Sequence, residues 1–533
     1  MRRLGLQLPS LGLNFKNGIA DTPQGYALVM DNFYFEGSYI KVREGYQVIF
    51  QREDNIQKIY GCTNSQNNEQ NRILFNSGTS LYKLTDVAIE AIKEDLPENA
   101  NFVDLDFGNK KYFFSGISNP FSYDGTVCVD EDFTSQNPDL VFDKSTIEKA
   151  IVHQNRLYCK YGKSTQLWYS HTPDFPLKLD LFDVVALISK GGYIYDIASY
   201  SYSDASGSHV TLIVISNFGE VLVFQGEAPQ DINNWLLIGH YYTSMPRQEN
   251  NSLIPVRNDV FIFTSDNYVS LNVLSGMFNS PYSVAFNENM KNYLNNFIQM
   301  SLLGEYNNAM YYQQKDMIIS NIRYNNDNST QHIFSINNNA WTMFSGINAK
   351  NFATVSGELY FLNYSNEICK MFVGGKDDYN PQDASLGRFI KARFLTSYTN
   401  FGTDRLKMSK NVIILASHSA RTNSRLIVRT DFGEDMYFDD EFRPYPLENF
   451  VGGDKWNENT WLDKDIGMVE DEGTMHWQQY PSWVDTAEEM LFSVGMRPYH
   501  FIAIGLEIEN GLAHNNVYSL SSNVVISGNK NLN

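Results

Sequence analysis

The chain has 533 residues, with 41 Lys and Arg against 61 Asp and Glu, for a formal net charge of −20. Bulk nucleic-acid binding needs basic surface to displace counterions from phosphate, so this balance argues against it; the charge instead keeps a large surface soluble and repels polyanions. Cys62, Cys128, Cys159 and Cys369 stand far apart and form no zinc knuckle, CxxC pair or disulfide framework, so buried thiols in a reducing compartment are expected.

The start, Met1-Arg2-Arg3 and then LGLQLPSLGLNF, is broken by Gln7, Pro9, Ser10 and Asn14, so no signal peptide is expected. No run of 18 apolar residues follows, so no membrane span is expected. Aromatic residues reach 14%, with 33 Tyr and 35 Phe, which suits pleated, half-buried surfaces. A strand is expected near 33–48, completing a blade begun elsewhere. Hairpins follow, each an apolar strand, a short polar turn and a second apolar strand. They lie at 72–84, 111–125, 156–170, 211–226, 260–274, 310–322, 332–346 and 358–372. From 72 to 310 their starts are about 40 to 55 residues apart, the length of one four-stranded blade. The pattern predicts an all-β fold: a β-propeller of six or seven blades over 51–387, joined by an N-terminal strand segment over 1–50. A β-sandwich series is the competing arrangement, but its turns come without a superperiod near 45 residues. One helix is expected at 284–303, where Phe286, Met290, Tyr293, Leu294, Phe297 and Ile298 recur at helical spacing. It reads as a packing element without chemistry.

From 388 to 533 the texture changes. Strands are expected at 389–401, 410–417, 424–432, 500–510 and 516–527, as an additional β-sandwich-like domain. Between its halves, residues 431–472 hold 14 acidic and 3 basic residues, a net of −11. The segment reads as a solvated insertion or as a docking loop whose aromatics, Tyr437, Phe442, Trp456 and Trp461, contact a partner.

Chemistry-bearing motifs are weak. Gly162-Lys163-Ser164-Thr165 lacks the first glycine of a phosphate loop, because Leu157 stands there inside a strand, and no helix follows. The nine histidines form no HExxH, and His171, beside Asp174, reads as hairpin-end polarity. Asp454 to Asp465 has Trp456 at the third ligand position of a calcium loop and no glycine at the sixth. Ser122 to Thr126 lacks the register and tryptophan of a sialidase aspartate box. No catalytic, cofactor-binding or metal residues are assigned, and no enzyme is expected.

Several ordered segments resemble the tail tubular protein B (nozzle) family of short-tailed phages and the related packaged-DNA stabilisation (tail hub) proteins. The opening GLNFKNGIADTPQGYALVMDNFYFEGSYIKVREGYQ (12–47) is similar to that family's N-terminal signature, with its Asp-Asn-Phe strand and its Arg-x-Gly-Tyr end at Arg43 to Tyr46. LWYSHTPDFPLKLDLFDVV (167–185), GGYIYDIASY (191–200), SNFGEVLVFQGEAPQDINNWLLIGHY (216–241), NNAWTMFSG (338–346), GELYFLNYSNEICKMF (357–372) and ARFLTSYTNFGTDRLK (392–407) continue the likeness. The acidic insertion matches nothing in it. The resemblance implies a virion tail protein assembled in the host cytoplasm. It implies a homohexameric ring below the head-to-tail adaptor, a distal tube through which genome DNA passes without specific binding, and nearby fibres or a tip protein. The rival readings are a glycan-binding or glycan-degrading propeller for host recognition and a kelch-like or WD-like interaction scaffold.

Overall fold

The computed structural model describes residues 2–62, 72–85, 88–98, 100–204, 207–276, 286, 288–294, 308–324, 328–380, 386–418, 423–439, 488–494, 496–510 and 515–526. The protein is an all-β chain that divides into two compact units. One comprises Val48–Trp341 and Ser345–Met371; the other comprises Met1–Gln47, Thr342–Phe344 and Phe372–Asn533.

The larger unit is a succession of seven small sheets of a β-propeller-like kind. The first is formed by Ile56–Cys62, Arg72–Ser77, Ser80–Leu84 and Ile89–Lys93, the second by Val103–Phe107, Lys110–Phe114, Phe121–Tyr123 and Cys128–Asp130. The third contains Ile147–His153, Arg156–Tyr161, Gln166–Thr172 and Phe175–Asp183, with Thr134–Ser135 added in parallel at its edge. Ile194–Asp204, Gly207–Ser216, Glu220–Gln225 and Leu236–Tyr242 make the fourth, and Leu253–Val256, Asp259–Phe263 and Tyr268–Ser270 the fifth. Asn308–Tyr312, Met317–Arg323, Ser329–Ser335 and Ala340–Phe344 are the strands of the sixth, the last of them belonging to the other unit from Thr342 onward. Ala349–Val355, Glu358–Asn363 and Glu367–Met371 begin the seventh, and Tyr46–Gln51, from the other end of the sequence, completes it.

Turn chemistry explains the hairpins. Gly78, Gly162 and Gly219 adopt φ of 60°, 52° and 79°, and Asn339 and Asn366 adopt 53° and 59°, at the places where glycine and asparagine relieve left-handed strain. The hairpin expected over 260–274 is shorter than its apolar pattern suggests. Leu271–Leu274 is a helical turn, because the Ser270 hydroxyl accepts from the Val273 N–H and caps it.

Consecutive sheets share apolar cores. Tyr60 and Leu74 pack with Phe113 and Phe121, Tyr112 and Phe114 with Cys159 and Trp168, and Tyr158 and Tyr169 with Leu212 and Phe224. Ile213 and Val221 meet Val260 and Ile262, and Tyr268 stacks on Trp341 with ring centroids 4.9 Å apart. Ile368 and Leu362 of the seventh sheet pack with Ile59 and Phe75 of the first. Within the expected helix, Lys291–Leu294 is helical, and Phe286, Met290 and Leu294 are buried. The Phe286 ring lies 4.3 Å from that of Phe261, which is the packing role expected; Phe297 and Ile298 lie outside the described residues.

The second unit combines strands from both ends of the sequence in two largely antiparallel sheets. One orders Phe33–Glu36, Tyr39–Val42, Asn515–Ile526, Lys407–His418 and Glu488–Ser493, with Arg2–Leu6 also on Asn515–Ile526. The other contains Ala27–Asp31, Arg388–Thr396, Ile502–Asn510, Asn423–Thr430 and Met436–Asp439. Phe33 of the first meets Phe394 of the second edge to face at 5.4 Å. The boundary expected at residue 50 therefore needs correction. Residues 1–47 pair with C-terminal strands in this unit, and only the strand Tyr46–Gln51 runs on into the seventh sheet.

Candidate functional site

Of the four expected partner contacts, Tyr437 lies on Met436–Asp439, opposite Ile427, with half of its surface exposed. Phe442, Trp456 and Trp461 lie outside the described residues. The first stretch of the acidic segment is not a free loop. Asp435 accepts from Arg429 at 2.8 Å and from Arg393, and Asp431 accepts from the N–H groups of His500 and Phe501 at 2.9 and 2.8 Å. Burial raises the Asp435 pKa, but the two guanidinium groups outweigh it and hold the carboxyl below its usual range. Asp435 is thus paired and Met436–Asp439 is a strand of the sheet, so the first part of the acidic segment is built into the fold.

The clearest site joins the residues of the N-terminal signature. Asn32 ends the strand Ala27–Asp31, with φ of 56°, and Arg43 follows Tyr39–Val42. The Arg43 guanidinium is 1% exposed. It donates to both oxygens of Asp377 at 2.7 Å each, to the Asn32 Oδ1 at 2.8 Å and to the Glu44 carbonyl at 3.2 Å. Asn32 in turn donates to the Lys391 carbonyl at 2.8 Å. Two residues on, Gly45 touches the same segment, and a Cβ there would sit 1.7 Å from the Lys376 carbonyl oxygen. Tyr46 accepts the Tyr379 N–H through its own carbonyl, and its hydroxyl accepts from Arg388 at 2.7 Å. A fork-shaped donor matched to a carboxylate is geometrically demanding, so this node sets the path of the chain from Val42 towards Tyr46–Gln51. Asp377 was not visible as a partner in the sequence, 334 positions away from Arg43.

A second constellation recurs at the head of the first strand of four sheets. Ile56-Gln57-Lys58, Ile147-Glu148-Lys149, Ile194-Tyr195-Asp196 and Ala349-Lys350-Asn351 each carry a register shift, which re-aims a polar side chain. Each polar residue reaches the next sheet. Lys58 donates to the Phe102 carbonyl at 2.7 Å. Lys149 donates to Asp196 at 2.6 Å. Asp196, with no exposure, accepts from the N–H groups of Ser252 and Leu253 at 2.7 and 2.9 Å. Asn351 exchanges hydrogen bonds with the backbone of Ile59 at 3.3 and 3.0 Å. Burial lowers the Lys58 pKa, and burial with Arg323 nearby lowers that of Lys350 to about 8. Burial disfavours ionised Asp104, yet Lys111 and Lys58 hold its carboxyl below the usual range. Asp196, Lys350 and Asn351 are buried, Lys58, Lys149 and Asp104 partly so, and each is hydrogen-bonded; their chemistry is that of register and adhesion between sheets.

The remaining sequence candidates fall in ordinary places. Gly162 to Thr165 is a hairpin turn, and His171 bonds Asp180 across the strand pair at 2.7 Å, not Asp174. Among the described residues no group of three His, Cys, Asp or Glu side chains could hold a metal, and no helix is long and apolar enough to cross a membrane.

No family model and no curated protein matches the chain. Solved structures with slight similarity include the computationally designed Ika8 protein (9% identity over 65% of this chain and 96% of that one, TM-score 0.36). They also include BBS1N in complex with ARL6DN (11% identity, 62% and 98%, TM-score 0.38). A third is PorZ, a surface component of the type-IX secretion system of Porphyromonas gingivalis (10% identity, 76% and 46%, TM-score 0.35). Likenesses at this level assign neither family nor function.

Proposed function

We propose that this chain is a structural component of a short phage tail: one subunit of a hexameric nozzle or hub ring that forms the distal DNA-exit tube. In this reading it contacts the head-to-tail adaptor and the fibres or tip, and it needs no cofactor or catalytic site. The observation that carries the reading is the buried Arg43 node. The signature segment resembling the nozzle family places Asn32, Arg43, Gly45 and Tyr46 in one interlocked junction, so those residue types are there for architecture. The larger unit is then a closed seven-bladed propeller, with Tyr46–Gln51 as its closing strand; the shared core of the seventh and first sheets supports closure. A propeller leaves only short strand edges and projects hairpin tips that diversify independently, which suits a subunit packed around a symmetry axis. The net charge of −20 suits a tube that passes DNA without holding it.

The test is negative-stain electron microscopy of the full chain, alone and mixed with a head-to-tail adaptor. Six-fold rings, or six-fold decoration of adaptor rings, are expected. Isolated monomers under both conditions would overturn the proposal.

A further inference from the structure

Between the third and fourth sheets lies an open cleft of about 670 Å³ that plays no part in the polar staples or the Arg43 node. Its volume falls within the usual range of small-ligand sites, roughly 300–1,000 Å³, but its lining is more polar than such sites commonly are. We infer that this cleft binds a neutral saccharide.

The chemistry of the walls carries the inference. Asn155, His209, Gln225, Glu227 and Asn233 line the cleft, with Gln154 at its edge. A carboxamide presents donors and an acceptor side by side, which matches the paired hydroxyls of a sugar ring, each able to donate and accept. The single carboxylate is already compensated. Glu227 Oε1 accepts from Arg156 Nε and Nη2 at 3.0 and 2.8 Å, so the cleft offers neither a free cation for a phosphate nor an unpaired anion for a basic peptide. Val210 and Leu236 add small apolar surface for the C–H face of a sugar.

The walls are held before any ligand arrives. Gln225 Nε2 lies 3.2 Å from His209 Nδ1. The Gly226 carbonyl receives Gln154 Nε2 at 3.1 Å and lies 2.8 Å from His153 Nε2. Gly226 itself adopts φ of 124°, and a Cβ there would sit 2.5 Å from the Asn234 carbonyl oxygen, so the 226–236 loop is folded tightly on itself. Trp235 anchors that loop by stacking on Phe224 at 5.2 Å. On this fixed frame, Asn155 and Asn233 are exposed, with side-chain amides bonded to no other described residue. Rigid walls with available amides limit the ordering cost of binding.

The experiment is a glycan microarray carrying neutral, sialylated and sulfated glycans, probed with the full chain. The best neutral binder is then titrated calorimetrically against the wild type and an Asn155→Gly/Asn233→Ala variant. Neutral glycans are expected to bind. The double variant should bind about tenfold more weakly, or worse, for the loss of two hydrogen-bonding amides, with a thermal unfolding curve close to that of the wild type, because neither residue is in the core and glycine keeps the left-handed φ of 63° at position 155. Retention of charged glycans only, retention of none, or equal affinity in the double variant would overturn the inference. Ring formation is read separately, so this site and the assembly proposal fail independently.

Discussion

Removing one partner of the Arg43–Asp377 pair should be among the most damaging single changes available in the second unit. The side chains are 1% and 7% exposed and meet through two parallel hydrogen bonds of 2.7 Å. Arg43→Met leaves a buried carboxylate without its cation, and Asp377→Leu leaves a buried guanidinium without its anion. Either should cost about 3–5 kcal/mol. Against a domain stability of about 5–15 kcal/mol, that is a large fraction. The double variant Arg43→Met/Asp377→Leu removes both charges together, so most of the penalty disappears. What remains is the loss of donors to Asn32 and the Glu44 carbonyl, about 1–2 kcal/mol. Native-state hydrogen exchange read by mass spectrometry suits a chain of two compact units, because peptides over 27–31 and 388–396 report this unit alone. Each single variant should speed exchange there by about 100-fold or more, and the double by far less. A pair this buried is poorly screened, so the coupling should be similar in low and high salt. Single variants costing less than about 1 kcal/mol, or effects that simply add in the double, would refute the reasoning.

Asp196→Ala should leave the N–H groups of Ser252 and Leu253 without their acceptor and Lys149 with only the Asn250 carbonyl, and destabilise the larger unit by about 3–5 kcal/mol in urea unfolding; a near-neutral result would count against these links between sheets. Gly45→Ala puts a methyl 1.7 Å from a backbone oxygen, so the soluble yield should fall sharply, and a variant with wild-type exchange protection would show that the backbone can move aside. Asp259 is buried, and burial lifts its pKa from 3.8 to about 6 despite hydrogen bonds from Ser270 and backbone N–H groups. Its folded form therefore holds a proton that the unfolded form has lost. The resulting stability is complete only below pH 3.8 and is lost as pH rises through 6, with about 1 kcal/mol of that loss falling between pH 5 and 7. Asp259→Asn should flatten that slope in a series of urea midpoints between pH 5 and 7, and an unchanged slope would assign it to another group.

Much of the fold was legible because a blade is a local object. Each hairpin joins neighbours in sequence, and its turn announces itself through Gly78, Gly219, Asn339 or Asn366, whose residue types tolerate left-handed φ. The second unit was only half legible. Its C-terminal strands are visible in the apolar pattern, but their partners come from the start of the chain: Ala27–Asp31 lies against Arg388–Thr396, and Arg2–Leu6 against Asn515–Ile526. No short-range signal encodes such pairings. Leu271–Leu274 was misread because its apolar residues fit either period, and one hydroxyl at Ser270 decided the outcome.

The polar sites were hidden for a different reason. Lys58, Lys149, Asp196 and Asn351 look like solvated strand residues when each hairpin is read alone. Set side by side, the heads of the first strands share a pattern, apolar, any residue, polar, then two apolar, in IQKIY, IEKAI, IYDIA and AKNFA. That pattern was available without a structure, and the bulges in the register give its physical cause: one extra residue turns a polar side chain towards the next sheet. Such buried polar links contribute little net stability compared with apolar contacts of similar size. What they add is discrimination. Lys149 is matched by a neighbour that offers both the Asp196 carboxylate and the Asn250 carbonyl, and Asn351 by a strand that exposes both the N–H and the carbonyl of one residue. Seven sheets with similar apolar faces could pack in many orders, and directional bonds that must be satisfied at four of the junctions disfavour the wrong ones.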